Sequence, residues 1–165
     1  MRKALIASLL VCASATADVV RGPYLQMGMP DSMTVVWRSL LPSDAKVWYG
    51  DAPTALTQTA TDSKVAFQHE VTLTGLEAGK RYYYAVGSGA TGQEKGGDVH
   101  HYFDTSPVLG STPNVRLWVV GDSGTGGLNQ IAVFNAMVQH VGEDKPDFFL
   151  YMGDMAYGSG MDLEF

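Results

Sequence analysis

Cysteine, basic residues and long apolar runs are all scarce in this chain of 165 residues. With Cys12 as its one cysteine, the chain forms no internal disulfide, so packing alone must hold the fold. Lys and Arg number 11 against 17 acidic residues, which gives a formal net charge of −6. The basic residues form no cluster, and this argues against nucleic acid or an anionic membrane as partner. A small phosphorylated molecule is compatible with this negative charge as a partner, because bound metal cations make the local electrostatic potential positive.

The first residues have the pattern of a secretory signal peptide. A charged start precedes an apolar run over residues 4–11 and a small-x-small cleavage signal. We expect residues 1–17 to be removed, with cleavage after Ala17 or alternatively after Ala15, and the protein to be periplasmic or extracellular. The apolar run is too short to span a membrane, and a lipoprotein anchor at Cys12 is disfavoured by the bulky residue before it. The mature chain would have no cysteine and a net charge of −8.

Residues 18–106 have the pattern of an all-β domain. Short runs rich in β-branched and aromatic residues alternate with Pro, Gly, Asp and Ser at spacings of about 8–12 residues, which is typical of a sandwich. The segment 76–82 resembles the turn and tyrosine corner of immunoglobulin-like and fibronectin III-like modules. The strand-like runs are residues 34–38, 45–50, 70–73 and 82–86.

Residues 107–114, with two prolines, Gly and Ser, are predicted to be a linker to an α/β region over 115–165. Apolar runs at 115–120 and 147–152 predict buried parallel strands. Between them a helix is expected, ending at Gly142, with an apolar face formed by Leu128, Ile131, Phe134, Val138 and Val141. A lone strand-helix-strand unit cannot bury both faces of its sheet, so we expect the α/β domain to be truncated here.

A Gly-Asp pair follows each of these two strands, and the pairs place Asp122 and Asp154 one βαβ unit apart. Ligands of open α/β sheets bind at the carboxyl ends of the strands, so both carboxylates are aimed at one region. Carboxylates are hard oxygen donors that can bridge two cations. Tyr157 follows Asp154 by three residues and could reach the same metal. The preceding glycines are expected to let the backbone turn sharply.

Other functions fit these segments less well. The Gly-Asp-Ser-Gly segment at 121–124 is also found around the nucleophile of trypsin-like proteases, which would make Ser123 catalytic. That hypothesis lacks a suitable upstream histidine. The loop at 124–127 lacks the spacing of a dinucleotide fingerprint and the lysine of a phosphate loop. None of the four histidines has ligand spacing to another, so none is assigned to a metal.

The chain resembles the purple acid phosphatases, which belong to the calcineurin-like metallophosphoesterases. The two Gly-Asp turns resemble the family's first two metal motifs. The segments 21–26, 34–38 and 69–76 look like the family's fibronectin III-like N-terminal domain. The resemblance implies that Asp122 binds Fe(III), Asp154 bridges it to a divalent Zn, Mn or Fe ion, and Tyr157 binds the iron. It also implies hydrolysis of phosphate monoesters, in which a metal-bound hydroxide attacks phosphorus.

The family's Gly-Asn-His-Glu motif and its later histidines have no counterpart in these residues. No catalytic residue is therefore identified beyond the three ligands, and the chain as given is expected to have no appreciable phosphatase activity. The alternative is a non-catalytic fibronectin III-like binding module with a vestigial α/β tail. No oligomeric state is predicted.

Overall fold

The computed structural model describes residues 18–143, 145–161 and 164, so the predicted signal peptide lies outside the described residues. The described part forms two compact units. Unit 1 contains six strands, and unit 2 contains two strands and a helix, together with residues 29–31 and 76–80. The order is β1 (Val19–Gln26), β2 (Ser32–Gly50), β3 (Gln58–Thr74), β4 (Arg81–Ser88), β5 (Gly92–Gly96), β6 (Tyr102–Asp104), β7 (Leu117–Val120), α1 (Leu128–Val141) and β8 (Phe148–Tyr151).

The long strand β2 organises unit 1. It is antiparallel to β1, β3 and β4, and β4 pairs in turn with β5 and β6. An irregularity between Arg38 and Ala45 divides it, so that its first half pairs with β1 and its second half with β4. The sequence predicted two strands here, whereas the structure has one that changes partners. The resulting curled antiparallel sheet confirms the predicted fibronectin III-like fold.

Alternation along the strands places one set of side chains in the core of unit 1. Trp37 is 1% exposed and Leu73 is fully buried, and both face inward from paired strands. A truncation such as Leu→Ala at a site of this kind typically costs about 2–5 kcal/mol, so this core is the main source of stability in unit 1. The other buried apolar residues of unit 1 are Met33, Val35, Val36, Ala45, Val47, Tyr49, Val71, Tyr82, Tyr84, Ala85, Val86 and Phe103.

One core residue of unit 1 is titratable. His69 is 2% exposed, lies opposite Trp37 across the strand pair and stacks on its ring at 4.9 Å between centroids. Its Nε2 lies 2.8 Å from Oγ of Ser39, which itself donates to the Leu41 carbonyl at 2.7 Å. Burial lowers the pKa of His69, against the raising effect of nearby acidic side chains. The folded state therefore favours the neutral imidazole.

We expect this histidine to weaken unit 1 in acid. Because its pKa is lower in the folded state, the unfolded chain takes up the proton first, and stability falls as the pH drops below about 6.5. The measurement is the urea midpoint of unfolding at pH 7.5 and pH 5.0. His69→Phe, which keeps an aromatic ring on Trp37, should lose less stability over that interval than the wild type. The same change at the exposed His100 is the control, and equal pH dependence in wild type and His69→Phe would contradict the expectation.

In unit 2, β7 and β8 pair in parallel, as predicted, with Leu117 opposite Phe148 and Val120 opposite Tyr151. The predicted burial of these strands is wrong for the described residues, since every residue of both strands is exposed or only partly buried. The helix α1 ends where predicted, since Gly142 has a φ of 54° and donates its N–H to the Val138 carbonyl at 3.1 Å. Gly142 thus ends the helix with a positive φ, which glycine adopts without strain.

Unit 2 leaves much of its apolar surface exposed. A cleft of about 1120 Å³ is lined by residues of α1, β7 and β8, including most of the predicted helix face. Trp118 and Phe134 both line this cleft, and their ring centroids lie 6.2 Å apart. None of the helical segments in the described part of the chain has both the length and the apolar character that crossing a membrane requires. Side chains about half exposed include Leu117, Val119, Ile131, Phe134, Phe148, Phe149 and Leu150.

Candidate metal centre

Two turns follow the parallel strands of unit 2, and each places its aspartate in a rare backbone conformation. Asp122 has a φ of 53° and Asp154 a φ of 51°, both in the left-handed region. A residue other than glycine held there is strained by roughly 1–3 kcal/mol, and such residues persist where their surroundings fix them, often at functional sites. The matching strain at two strand ends marks this edge of the sheet as the candidate site.

The glycines of the two Gly-Asp pairs do not have the same role. Gly153 has a φ of 112°, as expected for a sharp turn made by glycine. Gly121 has no positive φ and instead lies close to β8, where an added Cβ would be 3.3 Å from that of Met152. The expected role of glycine therefore holds at Gly153 but not at Gly121, because at the first turn Asp122 itself takes the left-handed conformation.

Backbone hydrogen bonds join the two turns. The N–H of Asp122 donates to the Gly153 carbonyl at 3.2 Å, and the N–H of Gly124 donates to the Asp154 carbonyl at 2.8 Å. A third bond runs back, from the N–H of Tyr157 to the Gly124 carbonyl at 3.0 Å. These three bonds hold the segments carrying Asp122, Asp154 and Tyr157 side by side.

Gly124 is buried at the contact between the turns. A Cβ built on it would overlap the backbone of Met155 and Ala156, which leaves no room for any side chain. The second glycine of the Gly-Asp-Ser-Gly segment therefore allows two backbones to approach closely, a common use of glycine.

The phenol of Tyr157 joins the two carboxylates. Its hydroxyl interacts with the carboxylate of Asp154, and the negative charges of Asp154 and Asp122 both act on it. The interaction with Asp154, together with some desolvation and the two charges, raises the pKa of Tyr157 to about 12. The structure thus brings together the three residues that the sequence singled out, with the phenol in its protonated form.

The residues present fit a metal in part. Two carboxylates and a phenol form an all-oxygen donor set, which suits a hard cation. Within residues 18–143, 145–161 and 164, no group of three His, Cys, Asp or Glu side chains is placed to hold a metal ion. Two aspartates and Tyr157 are fewer donors than a dinuclear centre needs.

The structure gives the other candidate residues different surroundings. The Ser123 hydroxyl is hydrogen-bonded to the Tyr151 hydroxyl, which is no catalytic base, so nothing supports the protease hypothesis. His101 lies 2.9 Å from the Asp98 carboxylate through its Nδ1. Tyr151 was missed by sequence analysis, because a tyrosine at the end of an apolar strand looks like any other core aromatic.

The described architecture defines a class of protein: a fibronectin III-like β-domain followed by a strand-helix-strand unit whose strand ends carry aspartates. Residues 20–105 match the family described as the N-terminal domain of purple acid phosphatase. Because this match covers just over half of the chain, the chain belongs to that family, and the resemblance noted from the sequence is confirmed. No match was found among curated proteins.

Two solved structures of larger proteins show the same fold. PhoD superposes with a TM-score of 0.61 at 16% identity, over 90% of this chain and 30% of PhoD. The purple acid phosphatase PPD1 from seeds of yellow lupin (Lupinus luteus) gives a TM-score of 0.57 at 16% identity, over 84% of this chain and 35% of PPD1. The chain thus spans about a third of the length of these two proteins. A fibronectin III domain of human contactin 1 matches with a TM-score of 0.40 at 15% identity, over 67% of this chain and 93% of that domain.

Proposed function

We propose that this chain supplies the first half of a dinuclear metal centre for the hydrolysis of phosphate monoesters. In this proposal Asp122 and Tyr157 bind Fe(III), and Asp154 bridges the iron to a divalent Zn, Mn or Fe ion. The observation that carries it is the juxtaposition of the three residues: backbone hydrogen bonds join the two turns that carry them, and both aspartates are held left-handed. Membership of the purple acid phosphatase family supports the choice of metals.

The chemistry of the donors agrees with this assignment. A phenol with a raised pKa gives up its proton only to a strongly acidic cation, and Fe(III) is such a cation. Two bound cations would supply an activated water and neutralise charge on the phosphate. The chain's own residues hold the cations: the hydrogen bonds between the turns fix where the three oxygens lie, and the exposure of Asp122 and Asp154 leaves them open to a ligand.

The substrate in this proposal is a small phosphate monoester, and the protein acts outside the cytoplasm. The choice of substrate rests on the family and on the acidic chain, whose site needs cations before an anionic substrate can approach. The location outside the cytoplasm rests on the signal-peptide pattern of residues 1–17. The three donors are too few for both metals, so the chain by itself should bind iron without turning over substrate.

Iron binding and activity of the 165-residue chain test the proposal together. We expect Fe(III), supplied as a citrate complex, to bind the wild type, and Asp154→Asn to weaken binding by more than about 100-fold, because even residues outside the ligand set typically contribute 10–100-fold. Glu143→Gln, an exposed acid of unit 2, is the control and should bind as the wild type does. Equal iron affinity in Asp154→Asn, or hydrolysis of p-nitrophenyl phosphate well above a metal-free sample, would contradict the proposal.

A further inference from the structure

Tyr151 links the second strand to the first turn through its side chain. It is the last residue of β8 and is partly buried, and its hydroxyl is hydrogen-bonded to Oγ of Ser123. Its ring also contacts Phe149 edge-on, with centroids 5.0 Å apart. The hydroxyl of Tyr151 therefore reaches from one strand end to the turn that follows the other.

The position of Ser123 makes this link relevant to the site. Ser123 lies directly between the strained Asp122 and the buried Gly124. Backbone hydrogen bonds hold the residues on either side of it, and the bond to Tyr151 is a side-chain attachment within the same turn. A left-handed aspartate is strained and persists only where its surroundings hold it, so an attachment at the adjacent residue helps to keep Asp122 in place.

We propose that Tyr151 is a positioning residue that holds Asp122 in its left-handed conformation through Ser123. This inference rests on the proposed metal centre, because it assigns the link a role in presenting the Asp122 carboxylate to a cation. In this proposal Tyr151 acts through its hydrogen bond to Ser123 and not as a metal ligand. Its ring packing on Phe149 is a separate contribution, which a phenylalanine at 151 would keep.

Hydrogen exchange and iron binding, measured on the full 165-residue chain, separate these contributions. Tyr151→Phe and Ser123→Ala should each speed exchange of the Asp122 and Gly124 amides and weaken Fe(III) binding by about 10-fold, the usual scale for losing one supporting hydrogen bond. The double variant should lose no more than either single one, because both remove the same bond. Ser123→Thr keeps a hydroxyl and should therefore show wild-type amide exchange and wild-type Fe(III) binding. Ser159→Ala, which deletes a hydroxyl elsewhere in unit 2, is the matched control and should leave both measurements unchanged.

The outcomes are distinct. Wild-type exchange at Asp122 and Gly124 in Tyr151→Phe would overturn the link, and faster exchange with unchanged iron affinity would overturn the positioning role. Additive losses in the double variant would also overturn it. A wild-type chain that binds no iron would reject the proposed metal centre instead, and the exchange rates would still decide whether Tyr151 holds the turn.

Discussion

Tyr157→Phe should abolish the visible absorption band that Fe(III) produces when it binds this chain. The band requires electron density from a phenolate, and carboxylates such as Asp122 and Asp154 do not provide it. The phenol of Tyr157 interacts with Asp154, and both acidic charges act on it, so it is the group that iron would deprotonate. The measurement is a titration with Fe(III) followed by visible spectroscopy, with bound iron determined separately.

The matched control is another exposed tyrosine. Tyr24 is 41% exposed and Tyr157 is 46% exposed. If exposure alone allowed a phenol to bind iron, both tyrosines would therefore bind it. Tyr24→Phe should leave the band unchanged. If Tyr157→Phe still gives the full band when it binds iron, Tyr157 is not a ligand. Because Tyr157 lies on the surface, its loss should leave the core of unit 1 unaffected.

The local pattern of the sequence predicted most of unit 2. The runs before each Gly-Asp pair became β7 and β8, and the break at Gly142 ended α1, because periodicity and end signals are local properties. In unit 1 the same reasoning found the aromatic strands but divided β2 in two. Its segment from Leu40 to Asp44 has the polar and proline character of a loop, and pairing with β3 keeps that part of the chain in one strand.

The candidate site rests on residue types that the sequence singles out and on tertiary contacts that the structure adds. Asp122, Asp154 and Tyr157 could be selected because each stands at a fixed offset from a strand end. The left-handed conformation of both aspartates could not be predicted, since glycine was the expected residue for it. Nor could the pairing of Ser123 with Tyr151, because their contact depends on how two turns distant in sequence meet in space.

Changing Gly124 to alanine should disrupt the contact between the two turns. The added Cβ would overlap the backbone of Met155 and Ala156, and a backbone cannot swing aside as a flexible side chain can. Overpacking of this kind costs about 1–3 kcal/mol or more, and here the turns can relieve it only by separating. We expect Gly124→Ala to weaken Fe(III) binding by more than about 100-fold, since separation moves Asp122 away from both Asp154 and Tyr157.

Gly127 provides the matched control, because it lies in the same loop with room for a methyl group. Its φ is −97°, and a Cβ there would meet only Oγ1 of Thr125, at 3.7 Å. Gly127→Ala should therefore bind iron nearly as the wild type does. In Gly124→Ala, amide resonances of both turns should shift while those of the core of unit 1 stay in place. If Gly124→Ala binds iron normally, the close approach of the two turns does not form the site, and the aspartates must reach a common cation by another arrangement of the backbone.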